Sequence, residues 1–111
     1  MLSRKYRIKK EDIEKIIKRG KGPIFDFFYV RIFTNNFSNK RFAVIVSKKT
    51  QKTSVGRHLL KRRIWAVLDE MNKDNLKGQT DFVFLVKRPF LKKDIAIIRD
   101  QIEIVVSEIK A

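Results

Sequence analysis

The sequence holds no cysteine, which excludes disulfides, thiol catalysis and zinc sites built on thiolates. Its single histidine, His58, leaves no histidine pair for a metal and gives a hydrolytic triad no support, so no metal-ligating or catalytic side chain is expected. No apolar run approaches the ~20 residues that a membrane span requires. The opening residues, Met-Leu-Ser-Arg-Lys-Tyr-Arg, lack the apolar segment of a secretory signal, so a cytoplasmic location is expected. Acidic residues are scarce: 12 Asp and Glu stand against 27 Lys and Arg, a formal net charge of +15. Repeats, low-complexity tracts and linkers are also missing, and 111 residues suffice for one domain, 1–111, with 1–10 as a basic arm.

What is present is a core and a charge. Hydrophobic residues make up 43% of the chain, enough to fold it despite 35% charged residues. The charge of +15 exceeds the ~2–8 that solubility alone would ask for, so a polyanion is the expected partner. An anionic membrane would suit a basic amphipathic helix with a free apolar face. Here the apolar residues are spread over several segments, which fits a closed core. Nucleic acid is therefore the leading partner, with neither a membrane nor an obligate protein partner expected.

Ile13, Ile16 and Ile17 fall at helical spacing between Glu11 and Arg19, and Gly20 reads as a left-handed stop. Residues 24–33 are rich in strand formers. Alternation sends Ile24, Phe28, Val30 and Ile32 one way, and Phe25, Phe27, Tyr29, Arg31 and Phe33 the other. The polar stretch 34–39 reads as the turn of a hairpin whose second strand, Arg41 to Lys48, puts Phe42, Val44 and Val46 in the core. A loop from Lys49 to Ser54 leads into a helix over about 55–72, with Thr53 or Ser54 as its cap. Asp81 to Lys87 is almost continuously apolar, as a central strand covered on both faces would be. A last helix, about Lys92 to Lys110, carries Ile95, Ile98, Ile102, Val105 and Ile109 in one stripe. The order predicts an α+β protein, a two-layer α-β sandwich of three helices on a small sheet.

The helix after Val55 is the most informative element. At about 100° per residue, Leu60, Ile64, Val67, Leu68 and Met71 share the arc that packs on the sheet. His58, Lys61, Arg62 and Trp65 occupy a neighbouring arc, with Arg57 at its edge. That arc has no acidic residue before Asp69, so no intrahelical pair neutralises it. Its cations suit a phosphate backbone, and Trp65 is expected to be exposed among them, where its ring stacks on a base or ribose. Lys48 and Lys49, at the preceding strand's end, are either further phosphate contacts or simple surface charge. His58 is assigned an RNA contact and not proton transfer.

These segments resemble the protein subunit of bacterial ribonuclease P from about Arg7 to Lys110. Arg7-Ile8-Lys9-Lys10 matches the family's opening Arg-Leu-Lys-Lys, and Val46-Ser47-Lys48-Lys49 matches its strand-end Val-Ser-Lys-Lys. Arg57, Lys61 and Arg62 match the hallmark helix, and residues 81–89 resemble its later strand and turn. His58 departs from the family's Asn, and Trp65 from its final Arg, with Arg63 nearby; Ile13 and Ile17 replace two Phe of the first helix. The loop before Arg57 is one residue longer than usual.

The resemblance implies a four-stranded mixed sheet with a left-handed β-α-β crossover, against the right-handed rule for parallel strands. Three strands are evident; the fourth comes from a division of 24–33 or from residues near Thr50. It implies that a catalytic RNA cuts precursor tRNA with magnesium bound mainly by that RNA and its substrate. The protein would grip the catalytic RNA through Arg57, His58, Lys61 and Arg62, and reach the 5′ leader with Lys61 and Trp65. The leader cleft would be lined by Ile13, Ile17, Tyr29 and Arg31, with Phe27 as an addition; core packing is the alternative for the two isoleucines. Two rivals are a ribosomal or general RNA-binding protein and a stand-alone carboxylate nuclease. The scattered Asp and Glu residues disfavour the second.

Overall fold

The computed structural model describes residues 2–108. Helix α1 (Lys10–Arg19) carries Ile13, Ile16 and Ile17 against a sheet. Gly20 is not left-handed; it is extended at φ −74° and ψ 160°. The chain passes straight from the helix into the sheet there, and a Cβ would stand 2.6 Å from the Ile16 carbonyl oxygen and 3.0 Å from that of Ile32.

The aromatic stretch 24–33 does not form one strand. It bends at Asp26 and Phe27, and strand β1 (Phe28–Thr34) starts only after the bend. Before it, residues 21–24 meet β1 only through isolated antiparallel bridges, Lys21–Ile32 and Ile24–Tyr29, so the sheet among the described residues has three strands and not the four that were expected. The bend breaks the expected alternation. Ile24 faces solvent, while Phe25 and Phe27 pack on the same core as Phe28 and Val30.

Nor do the next two strands form a hairpin. The sheet order is β1-β3-β2, with β3 (Thr80–Val86) antiparallel to β1 and parallel to β2 (Arg41–Val46). The polar segment 35–40 thus crosses the end of β3, and Asn35 fastens it there by donating to Asp81 Oδ1 at 2.6 Å. β3 lies in the middle, with Phe82, Val83 and Phe84 buried between the layers on both faces. The outer edge of β2 is covered in turn by the arm, where the Ile8 N–H donates to the Phe42 carbonyl at 2.9 Å.

Helix α2 (Ser54–Asp69) forms the crossover between the parallel strands, and α3 (Ile95–Glu108) follows β3 after a short turn at Lys92–Asp94. Both pack on one sheet face. There Phe42, Phe82 and Phe84 stack at 5.6–6.4 Å under Leu60, Ile64, Leu68, Ile98 and Ile102. Val105 of the predicted α3 stripe is buried too, and Ile109 lies outside the described residues. The other sheet face is covered by α1 over Ala43 and Val83. No helix among the described residues is long and apolar enough to cross a membrane.

A buried ion pair closes the sheet end nearest the start of α1. Arg41 donates to both Asp81 oxygens, at 2.8 and 2.6 Å, and Asp12 of α1 lies 3.5 Å from the same guanidinium. The doubled hydrogen bonds and the second carboxylate hold the Arg41 pKa above its usual value.

Candidate nucleic-acid interface

The parallel strands β2 and β3 end together, and α2 begins at that end, so the topology gathers the strand-end lysines and the first turn of α2. Lys48 and Lys49 are exposed in a tight turn. Ser47 holds it, its carbonyl accepting from the Thr50 and Gln51 amides at 3.2 and 3.1 Å. Thr50 Oγ1 ties the turn to β3 through the Val86 carbonyl at 3.2 Å.

Thr53 is the cap of α2, accepting from the Gly56 amide at 3.0 Å. Gly56 itself is required by proximity, since a Cβ would meet the Gln51 side chain at 2.6 Å and Thr53 Oγ1 at 2.7 Å. Arg57 is half-buried and has a task that the sequence did not reveal: its Nη1 donates to the Gln51 and Lys52 carbonyls at 3.0 and 2.8 Å, fixing the loop. Its remaining donors are not used in these contacts. His58 and Arg62 are exposed and frame a shallow depression with Ser54 and Val55. Lys61 is half-buried on the same flank.

Trp65 departs from expectation. It is only 8% exposed and belongs to the main core with Ile64 and Leu68. A wheel projection puts it beside the cations, but it borders the buried arc, and a large indole gains more from packing than from water. It therefore offers no exposed ring to a base. Nor does Arg63 replace the missing arginine, because its Nη1 donates to the Phe90 carbonyl at 2.9 Å on the opposite flank.

The second sheet face is only partly roofed by α1. Register sets Tyr29, Leu85 and Ile45 side by side, all half-exposed, in the row nearest the start of α2. Leu85 and Ile45 were missed by the sequence reading, although odd-numbered alternation in their strands points to them. The Arg31 guanidinium lies 5.2 Å from the centre of the Tyr29 ring. Arg31 Nε is enclosed without a hydrogen-bond partner in the protein, a donor that an incoming acceptor would satisfy. Ile13 and Ile17 flank this face from α1, half-buried against Ala43 and Val83, so they pack and remain partly accessible. Phe27 does not join them. The bend before β1 turns it to the helix side, where it is 8% exposed and meets Phe90 edge-on at 6.1 Å.

No group of three or more His, Asp or Glu side chains gathers to hold a metal among the described residues. The fold and this surface define a small basic α+β protein with exposed cations at a helix start and a half-exposed sheet face that carries Tyr29 and Arg31. The sequence model of the Ribonuclease P family matches residues 2–110, and the chain belongs to that family. It is 35% identical over 92 residues to the ribonuclease P protein component of Lactobacillus delbrueckii subsp. bulgaricus, covering 80% of this chain and 74% of that one. The Lactobacillus johnsonii protein of the same name is 32% identical over 93 residues, with 82% and 75% covered. The fold is similar to that of the Staphylococcus aureus RNase P protein, at TM-score 0.72 and 27% identity over 93% of this chain and 94% of that one. The Thermotoga maritima RNase P protein superimposes with TM-score 0.74 at 21% identity, over 95% and 98% of the two chains. Membership makes the chain the protein component of a ribonucleoprotein endoribonuclease, partnered by ribonuclease P RNA.

Proposed function

We propose that this chain steadies the catalytic RNA with the flank of α2 and guides the single-stranded 5′ leader of precursor tRNA over the open face of its sheet, in the cytoplasm. The observation that carries this reading is the half-exposed row Tyr29, Leu85 and Ile45 beside Arg31, adjoining the basic start of α2. An aromatic face takes unstacked bases, and cations take phosphates. Lys48, Lys49, His58, Lys61 and Arg62 neutralise RNA phosphates and release their counterions. Arg57 is a positioning residue as well, since it orders the loop that presents the lysines. Magnesium bound by the RNA and its substrate would supply the activated water; the protein's part is to bind and align.

Reconstituted cleavage tests this. With cognate catalytic RNA at low magnesium, added protein is expected to stimulate 5′ maturation of precursor tRNA. Tight RNA binding without stimulation would favour a general RNA-binding protein instead. Tyr29→Ala is expected to weaken binding of leader-bearing substrate by about 1–3 kcal/mol while sparing mature tRNA. Equal losses on both would remove Tyr29 from the leader path.

A further inference from the structure

Two grooves meet at Phe37 and Arg41, at the sheet end away from the start of α2. The larger, about 540 Å³, is lined by Arg4, Lys5, Arg7, Lys9 and Lys10, with Glu11 as its acidic residue. The smaller, about 280 Å³, runs from Phe37 past Lys15 to Phe33; its carboxylates, Asp12 and Asp81, are both engaged by Arg41. Among the described residues, Arg4, Lys5, Lys9 and Lys10 form no ion pair. Lys9 and Lys10 stand at the N-terminus of α1, where the helix dipole disfavours cations, so helix stability does not account for them.

Phe37 is 46% exposed, and its backbone amide donates to Asn35 Oδ1 at 2.8 Å, which holds the turn that carries the ring. The buried Arg41 guanidinium lies 4.3 Å from the ring centre. The pairing of an aromatic ring with a cation recurs in chain order: Arg31 with Tyr29 at 5.2 Å, Lys15 with Phe33 at 5.5 Å, then Arg41 with Phe37. A series of rings backed by cations thus leads from the Tyr29 row to a groove walled by positive charge. Stacking surface with phosphate-binding charge is the chemistry that takes single-stranded nucleic acid without regard to sequence.

We propose that the grooves joined at Phe37 form a second site for single-stranded RNA, taking the leader nucleotides beyond those on the Tyr29 face. A base stacks on Phe37, and the following phosphates lie on Arg4, Lys5, Lys9 and Lys10. This deepens the function proposed above and rests on it.

The test uses reconstituted holoenzyme and precursor tRNAs whose leaders are lengthened one nucleotide at a time. Affinity is expected to keep rising with length in the parent protein. Phe37→Ala should remove about 5- to 150-fold of it for the longest leaders, the worth of one stacked base, and nothing for the shortest. Lys9→Ala with Lys10→Ala should act in the same length-dependent way. No loss, or an equal loss at every length, overturns the proposal. So does weakened assembly with the catalytic RNA alone, which would give the grooves to that RNA. Phe37→Trp adds a direct readout against the buried Trp65, with quenching expected from long-leader substrate and not from short. If the protein fails to stimulate cleavage at all, the function proposed above falls. The groove is then judged on the free chain: quenching of Phe37→Trp by a single-stranded RNA oligonucleotide supports it, and none overturns it.

Discussion

An indole beside cations presents a choice between two environments, and in this chain Trp65 takes the core. The projection of α2 gave its angle correctly; which flank of the helix lies covered depends on neighbouring elements, and no local pattern encodes that. Trp65→Ala is accordingly expected to cost about 3–5 kcal/mol of folding stability, measured by urea unfolding. A variant as stable as the parent but weak in RNA binding would return the ring to the surface. Lys40 is a residue that the sequence left unmarked. It is buried just before β2, and its ammonium donates to the Val106 carbonyl. Burial pushes its pKa below the usual 10.5, so the unfolded chain keeps that proton to higher pH than the folded one. Stability therefore gains a contribution from Lys40 as pH climbs from its lowered pKa to 10.5. In Lys40→Met that contribution should vanish, whereas the easing of general charge repulsion persists in both proteins. Alkaline stability profiles that run parallel would refute it.

At the level of elements, helices were legible and strand neighbours were not. The spacing of Leu60, Ile64, Val67 and Leu68 identified the buried side of α2, and these four are buried. Phe42, Val44 and Val46 likewise marked the inner face of β2. The hairpin failed because a polar turn shows only that the chain reverses; that β3 enters between β1 and β2 is a long-range pairing that no local pattern encodes. The 24–33 stretch misled for a related reason, since strand propensity does not register a bend at Asp26 and Phe27. Among the proposed leader-binding residues, Tyr29 and Arg31 do share a face, and the bend carries Phe27 away from it. The start of α2 depends on its cap. Thr53→Ala should lower stability by about 1 kcal/mol in thermal or urea unfolding, since the Gly56 amide loses its acceptor. Because Arg57 grips the same loop, the substitution should also loosen the turn that presents Lys48 and Lys49.

On the scale of the whole molecule, a net charge of +15 makes RNA affinity a steep function of salt. Removing any one cation that neutralises a phosphate should lower the slope of log affinity against log salt. Lys61→Ala is expected to reduce it by roughly one phosphate's worth. An unchanged slope would take Lys61 out of the RNA interface. The excess charge itself was plain from composition; its division between the start of α2 and the arm groove came only from the three-dimensional arrangement.

The middle strand is also the last of the three to be synthesised. While the ribosome is still upstream of Thr80, β1 and β2 have no partner to pair with, and Phe28, Val30, Phe42 and Val44 have no finished sheet to join. Folding must wait for the final third of the chain, when Phe28 finds Val86 across the sheet and Arg41 finds Asp81. Until then a nascent chain rich in positive charge emerges with two bare strands, and surrounding polyanions and chaperones meet it in that state.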